Sequence, residues 1–292
     1  MFNVALIGCG YWGSKLKGYI EENEEFNLKY ICNSKSDLNE VWNDEGICAV
    51  VIAVRNEQRY CIARDALLHK KHVLCEKPLA LRGVEANDLK QLAIDYNLAL
   101  FVDYTWTFSK GLRKATEMIF QGMIGDVLGI EMNIKHLGRF YGGSVYWLLG
   151  SHGLSILDMF VPLRTLEFTK KDLVVHDGNV ETGVINFTGG QTSGQILLSL
   201  NYPGKTAEVI IYGSKGTIIY SPLKQPSLDI ETYERIEWTL GSELPKTRTS
   251  YCIDEGNNLR YAIEYFAEVL KGNSVGNLER AVVITEMLEG LQ

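Results

Sequence analysis

The sequence predicts an α/β protein with a doubly wound parallel sheet in its N-terminal part and a mainly antiparallel sheet in its C-terminal part. Up to about residue 105, uninterrupted apolar runs alternate with segments of helical periodicity, which is typical of parallel strands covered by helices on both faces. Beyond about residue 120, apolar and polar residues alternate, as in 128–135, which is the period of a strand with one buried face. The 292 residues allow two domains, and we place them at 1–120 and 121–292.

Each element of the N-terminal part follows from a local pattern of apolar residues. Strands are expected at 4–7, 28–32, 49–54, 73–74 and 98–102. Helices are expected from about residue 11 after the first strand, through 63–67 after the third and over 89–96 after the fourth. Such intervening helices are the connections that a parallel sheet requires.

The C-terminal part is expected to hold several strands joined by glycine turns. Strand-like runs lie at 128–134, 164–169, 180–188, 194–201, 206–212 and 217–221, with turns at 189–190 and 213–216. One helix is expected at about 152–160, and apolar stripes over 259–270 and 278–288 predict two closing helices. The predicted boundary assigns all of these elements to the second domain.

Charge and composition indicate a small-molecule partner. The net charge is −7 without a sustained basic block, which disfavours nucleic acid or an anionic membrane as the partner. No apolar run approaches the length of a bilayer span, and no secretory signal is evident, so a cytoplasmic location is expected. The six cysteines are spread without a Cys-x-x-Cys pair, and His69 and His72 bracket two lysines, so we expect no metal site.

A glycine fingerprint follows the first predicted strand. Gly8, Gly10 and Gly13 have the Gly-x-Gly-x-x-Gly spacing, in which the glycines permit a tight turn, close approach of a pyrophosphate and close packing of the helix. The phosphate then rests on the helix N-terminus. A glycine-rich turn without a ligand is the alternative, but the strand before it, the helix after it and the alternating half-chain favour dinucleotide binding.

The end of the second predicted strand bears on which dinucleotide is bound. A carboxylate about 20 residues past the fingerprint usually binds the ribose 2′-hydroxyl of NAD, whereas a cation favours the 2′-phosphate of NADP. Here Asn33, Ser34 and Lys35 stand at that place. These side chains favour NADP. However, an asparagine side chain can also bond a ribose hydroxyl, and Lys35 is alternatively a solvated surface charge. NAD therefore remains the alternative cofactor.

Five stretches of the sequence match one known pattern: 5–13, 51–53, 72–78, 113–125 and 212–217. Together they resemble the glucose-fructose oxidoreductase / inositol dehydrogenase (Gfo/Idh/MocA) family. Residues 101–106 and 147–156 are most similar to the branch acting on nucleotide-linked or amino sugars. The resemblance implies a Rossmann domain for cofactor and an α/β domain for substrate. The large open sheet of the second domain commonly packs against another copy, so a homodimer or homotetramer is expected.

The resemblance also assigns two catalytic roles. The lysine of Glu76-Lys77-Pro78 would reach the oxygen of the reacting carbon, with a cis bond possible before Pro78. His152, at a helix start, matches the family's acid/base position, and imidazole titrates near neutrality; a capping or buried structural histidine is the alternative. Leu148 stands where many members carry an aspartate, which implies a different substrate contact, slower turnover or lost catalysis.

Cofactor and substrate contacts are expected at the predicted strand ends and in the loop before His152. The cofactor set is Gly8, Gly10, Tyr11, Trp12, Gly13, Asn33, Ser34, Lys35, Ala53, Glu76, Lys77 and Pro78. The substrate set is Lys77, Tyr104, Arg139, Tyr141, Trp147 and His152, and His136 is a further candidate. The aromatic members are alternatively core residues, and Arg139 is alternatively a surface charge. Arg59 is expected to border the cofactor.

The resemblance implies hydride transfer between the nicotinamide of NADP or NAD and a secondary alcohol or ketone of a sugar or nucleotide-sugar. His152 would move the alcohol proton, and the Lys77 ammonium would stabilise negative charge on the oxygen, or act as the base itself. Because Leu148 replaces a carboxylate, a dinucleotide-binding sensor or assembly protein with weak or no turnover is the alternative. A structural interaction protein without cofactor is disfavoured by the three glycines.

Overall fold

The computed structural model describes residues 1–138, 143–233 and 246–292, which form two compact units. The first unit comprises residues 1–105, 257–290 and 292, and the second comprises residues 106–256 and 291. Both units combine helices with a sheet, so the predicted α/β fold class is confirmed.

The first unit is built on a parallel sheet in the order β2-β1-β3-β4-β5. Its strands are β1 (Phe2–Ile7), β2 (Phe26–Cys32), β3 (Ala49–Ile52), β4 (His72–Glu76) and β5 (Leu100–Asp103). The chain leaves β1 toward one side to form β2 and returns to the other side to form β3. Doubly wound sheets bind ligands outside the carboxyl ends of the strands at such a switch point.

Helices connect these strands and cover the sheet of the first unit. They are α1 (Tyr11–Glu21), α2 (Asn39–Trp42), α3 (Asn56–Leu68) and α4 (Gly83–Asp95), joined by the late helices α7 (Asn258–Leu270) and α8 (Leu278–Gly290). Phe266 of α7 is fully buried and stacks on Phe26 and Phe101 from two strands of the sheet, with ring centroids 6.2 and 6.1 Å apart. Aromatic burial of this size holds α7 on the sheet.

The position of α7 and α8 differs from the predicted domain division, which placed residues 121–292 together. Arg260 of α7 pairs with Glu22, and the Gly83 amide at the start of α4 donates to Glu289 of α8 at 2.6 Å. Both helices therefore belong to the first unit. An apolar stripe predicts that a helix has a buried face, but it does not identify the sheet against which that face packs.

The second unit holds a sheet in the order β13-β12-β11-β10-β6-β9-β8-β7. Its strands are β6 (Val127–Leu137), β7 (Glu167–His176), β8 (Asn179–Gly189), β9 (Thr192–Ser199), β10 (Asn201–Gly213), β11 (Gly216–Tyr220), β12 (Leu228–Tyr233) and β13 (Lys246–Tyr251). All neighbours pair antiparallel except β6 and β9, so the predicted mainly antiparallel sheet is confirmed. The strands β12 and β13 were not predicted. β13 is polar and mostly exposed, so it carries no alternation to detect.

The helices of the second unit are α5 (Lys110–Phe120) and α6 (Ser151–Leu157). A π-helical turn, Tyr146–Gly150, runs directly into α6, so the helical segment begins six residues before the predicted start at 152. Among the described residues, no helix combines the length and the apolar composition that a bilayer span requires.

Candidate active site

The glycine loop lies between the carboxyl ends of β1 and β3. Gly8 has φ +94°, and a Cβ built there would lie 2.5 Å from the Ala53 carbonyl oxygen. A Cβ on Gly13 would lie 1.9 Å from the Gly8 carbonyl oxygen, whereas one on Gly10 meets no atom within 4 Å. Gly8 and Gly13 are therefore required by the fold itself, and Gly10 leaves open space in front of the helix.

That open space faces the N-terminus of α1. Gly10 is the N-cap residue and has no side chain to bond the first amides, and the first turn of α1 carries no acidic residue. The exposed rings of Tyr11 and Trp12 stand at this end, with the Lys15 ammonium 4.6 and 4.7 Å from their centroids. Uncapped amides, the helix dipole and a lysine fit a pyrophosphate group.

Asn33, Ser34 and Lys35 follow β2 as an exposed turn. The Asn33 side-chain oxygen accepts from the Lys35 amide at 2.9 Å, and the Ser36 hydroxyl accepts from the Asn33 amide at 3.0 Å. Asn33 thus has a structural role that its sequence position did not disclose, because this local bond makes the turn. Its side-chain NH2, the Ser34 hydroxyl and the Lys35 ammonium remain turned to solvent.

Lys77 follows β4 at the same edge of the sheet, and the Lys77-Pro78 peptide bond is cis, in line with the prediction. Arg59 of α3 fixes this turn, since its guanidinium donates to the Pro78 carbonyl at 2.5 Å and to the Val54 carbonyl at 2.9 Å. Arg59 is 4 % exposed. It therefore joins the backbone after β3 to the backbone after β4.

The half-buried Lys77 amine is electrostatically perturbed. Burial is the main cause that lowers its pKa from 10.5 to about 8; the Arg59 charge acts in the same direction, and Glu76 and Asp103 oppose the shift. Burial also raises the pKa of Glu76, against the effects of Arg59 and Lys77. The amine is therefore close to its titration midpoint near neutral pH, where acid/base groups are most effective.

Asp103 is a residue of this site that the sequence analysis missed. It ends β5, is the register partner of Glu76 on β4, and is fully buried. Burial raises its pKa well above the ordinary value, and the Glu76 charge adds to the shift, whereas Thr105 and Lys77 oppose it. The sequence did contain an indication of this role: Asp103 is an acidic residue directly after the apolar run 98–102, and the strand beside it ends in Glu76.

His152 lies in the second unit, in the first turn of α6, and is half-buried. The preceding π-helical turn carries Trp147 and Leu148. Trp147 is 6 % exposed, and neither its indole nitrogen nor the Ser151 hydroxyl has a hydrogen-bond partner among the described residues. Tyr146 anchors the turn by donating to Asp172 at 2.8 Å. π-Helical turns frequently occur at functional sites.

The remaining substrate candidates differ in their surroundings. Tyr104 is fully buried in the segment after β5, as a core tyrosine would be, and His136 is half-buried on β6. Arg139 and Tyr141 lie outside the described residues. Their predicted contacts with the substrate stay predictions.

Comparison with known proteins shows what the chain is similar to. The family model GFO_IDH_MocA, described as an oxidoreductase family with an NAD-binding Rossmann fold, matches residues 20–104. The 2,7-anhydro-N-acetylneuraminate hydratase of Escherichia coli is 23 % identical over 75 % of this chain and 67 % of its own length. For the first three curated relatives the match spans 39 %, 67 % and 37 % of the relative.

Two solved structures share the fold over nearly the whole chain. A 3-ketoreductase from Actinomadura kijaniata, in complex with TDP-benzene and NADP, has a TM-score of 0.84 at 17 % identity, covering 99 % of this chain and 96 % of its own. GenD2 from gentamicin A biosynthesis, in complex with NAD, has a TM-score of 0.83 at 18 % identity, covering 99 % and 93 %. The family model confirms, over residues 20–104, the resemblance to the Gfo/Idh/MocA oxidoreductases that the sequence motifs indicated.

Proposed function

We propose that this chain is an NAD(P)-dependent oxidoreductase that transfers a hydride between the nicotinamide and a secondary alcohol or ketone carbon of a sugar or nucleotide-sugar. The observation that carries the proposal is the perturbed Lys77 amine, which leaves the sheet at the edge that also holds the glycine loop. When bound, the cofactor supplies the hydride donor or acceptor. The protein then has to bind it, hold the reacting oxygen and move one proton.

Cofactor binding is assigned to the glycine loop and the turn after β2. Tyr11, Trp12 and Lys15 surround the uncapped start of α1, where the pyrophosphate would rest. The turn that follows β2 presents an ammonium and hydroxyl groups and no carboxylate next to Asn33. Because a 2′-phosphate gains charge-assisted hydrogen bonds from such groups, we favour NADP over NAD.

Lys77 is assigned to the oxygen of the reacting carbon. As an ammonium it donates a hydrogen bond to the oxygen and stabilises negative charge that develops there during ketone reduction. As an amine it is the alternative to His152 for accepting the alcohol proton during oxidation. A pKa of about 8 makes both forms accessible near neutral pH.

His152 is assigned to proton transfer with the same oxygen. Its place in the first turn of α6 matches the family position, and its half-buried side chain leaves part of the ring accessible. Trp147, whose buried indole N–H has no partner among the described residues, is the candidate that orients the sugar. Tyr104, Arg139 and Tyr141 complete the proposed substrate contacts.

The substrate class rests on the relatives. The hydratase is named for an anhydro sugar acid, and the 3-ketoreductase was solved with a TDP-linked ligand. A homodimer or homotetramer through the second unit's sheet and a cytoplasmic location stay predictions from the sequence.

A sensor or assembly protein that binds dinucleotide without turnover is the second candidate. Leu148 favours it, because a leucine in the π-helical turn before His152 can neither bind a sugar hydroxyl nor orient an imidazole. The glycine loop is equally compatible with both candidates. They differ only in whether the bound cofactor is oxidised.

The test follows binding and turnover separately. NADPH is added to the purified protein and its fluorescence is followed, and a panel of keto-sugars and nucleotide-linked keto-sugars is then added while the nicotinamide absorbance is monitored. We expect binding and oxidation in the wild type, and binding without oxidation in Lys77→Ala. Binding without oxidation of the wild type across the whole panel would select the sensor.

A further inference from the structure

The π-helical turn before His152 is held to the sheet of the second unit through its first residue. Tyr146 opens the turn and is 3 % exposed. Its hydroxyl donates to the Asp172 carboxylate at 2.8 Å, and the Lys171 carbonyl oxygen lies 3.2 Å away as a second acceptor. Both acceptors are on β7, the edge strand of the sheet. The side chain therefore joins the start of the helical segment to the outermost strand of the unit.

A glycine in β8 keeps the path of this side chain open. Gly183 is the register partner of Asp172, and a Cβ built on Gly183 would lie 2.3 Å from the Tyr146 hydroxyl oxygen. Lys170 contacts the same pair, since its ammonium lies 5.2 Å from the Tyr146 ring centroid and 3.6 Å from the second oxygen of Asp172. A missing Cβ, a carboxylate and a cation thus meet at one phenol.

The other end of the helical segment is also fixed to the sheet. Gly153 of α6 lies against β9, since a Cβ built on it would be 2.8 Å from Cγ2 of Ile196. Between the contacts at Tyr146 and Gly153 the chain takes the wider π-helical path of Tyr146–Gly150 before it enters α6. Because π-helical turns are rare, a specific contact is needed to hold the chain off the ordinary α-helical path.

From this arrangement we propose that Tyr146 is a positioning residue: its hydrogen bond to β7 holds the π-helical turn in place and thereby sets the directions of Trp147 and His152 relative to each other. Without this bond the segment is free to return to α-helical hydrogen bonding. A shift of one residue in register rotates the side chains before α6 by about 100°. Trp147 and His152 then no longer present the same surface. The inference rests on the proposed function, which assigns both side chains to the substrate.

The hydrogen bond depends on an acceptor at β7 and not on the charge of the phenol. Burial is the main cause that raises the pKa of Tyr146 above its ordinary value, and the hydrogen bond to Asp172 acts in the same direction. The hydroxyl therefore stays protonated at neutral pH and remains a donor. An asparagine in place of Asp172 keeps an acceptor oxygen, whereas an alanine does not.

The first measurement follows Trp147 in the full chain without cofactor. Tryptophans are labelled with fluorine, and the Trp147 resonance is assigned by Trp147→Phe. We expect this resonance to move in Tyr146→Phe, which keeps the ring and removes only the hydroxyl. It should move less in Asp172→Ala, where the Lys171 carbonyl remains as an acceptor, and stay in place in Asp172→Asn. The double variant should match Tyr146→Phe alone, because both changes break the same bond.

The second measurement is turnover of NADPH with a keto-sugar that the wild type reduces. We expect kcat to fall roughly 10- to 100-fold in Tyr146→Phe, because small displacements of positioned groups have effects of this size. Asp172→Asn should keep a kcat close to that of the wild type. Thr169→Ala, which removes an exposed side chain of the same strand, is the control and should change neither kcat nor the Trp147 resonance.

An unmoved Trp147 resonance in Tyr146→Phe would overturn the proposal, as would additive shifts in the double variant or a wild-type kcat in Tyr146→Phe. If Tyr146→Phe does not fold, Asp172→Ala decides, because the Asp172 side chain is 35 % exposed on the edge strand; the resonance must still move in that variant. A wild type that shows these fluorine shifts but oxidises no NADPH would remove the proposed reaction and retain the role of Tyr146 in holding the turn.

Discussion

Exchanging the second and third loop glycines for alanine separates what the fold needs from what the cofactor needs. In Gly10→Ala the new methyl group meets no atom within 4 Å, and Gly10 has φ −80°, which alanine adopts freely. Replacing glycine restricts the unfolded chain and stabilises by about 0.4–1 kcal/mol, whereas alanine is the poorer N-cap by roughly 0.5–1 kcal/mol. These effects nearly cancel, so the free energy of unfolding is expected to change by less than about 1 kcal/mol.

The same methyl group occupies the space in front of the uncapped amides of α1. Overpacking of one methyl group costs about 1–3 kcal/mol, so the dissociation constant of NADPH is expected to rise roughly 5- to 150-fold. Gly13→Ala is the matched control, because its Cβ would lie 1.9 Å from the Gly8 carbonyl oxygen and must destabilise the protein itself. Urea unfolding measures stability, and NADPH fluorescence measures affinity. Wild-type affinity in Gly10→Ala would refute the assignment of the loop.

Three further outcomes are expected. Lys77→Ala and His152→Ala should each lower turnover by roughly 10²-fold or more, while the NADPH dissociation constant stays within about twofold of the wild-type value. Full activity in either variant would show that the replaced residue is not catalytic. Wild type should bind NADPH more tightly than NADH, and Lys35→Ala should weaken NADPH binding by roughly tenfold with NADH unaffected; tighter NADH binding by the wild type contradicts the preference. The Lys77 pKa is lowered from 10.5 to about 8 in the folded protein, mainly by burial. Between about pH 8 and pH 10.5 the unfolded chain therefore binds more protons than the folded protein. The free energy of unfolding of the wild type, relative to that of Lys77→Met, should rise over this pH range by roughly 3 kcal/mol. A pH-independent difference in urea unfolding would show that the amine is not perturbed.

The parts of this protein that were predictable from the sequence are those in which one local pattern has one structural solution. Gly8, Gly10 and Gly13 mark a turn that other residues cannot make, and the uninterrupted apolar runs before Glu76 and Asp103 fit only strands buried on both faces. Both features lie where they were expected.

The parts that were not predictable depend on long-range pairing. The stripes of α7 and α8 gave no sign that they pack on the first unit, because periodicity describes one helix and not its neighbour. β13 is recognisable only through its ladder with β12, since its side chains are polar. Asp103 pairs in register with Glu76, which lies 27 positions earlier in the sequence. No motif spacing predicts such a pairing.

Transfer of deuterium from C4-deuterated NADPH tests the central claim most directly. The protein is incubated with the deuterated cofactor and the panel of keto-sugars and nucleotide-linked keto-sugars, and the products are analysed by mass spectrometry. We predict one deuterium on the new carbinol carbon of at least one sugar with the wild type, and none above background with Lys77→Ala. A wild type that binds NADPH and labels no member of the panel would contradict the assignment as a sugar oxidoreductase.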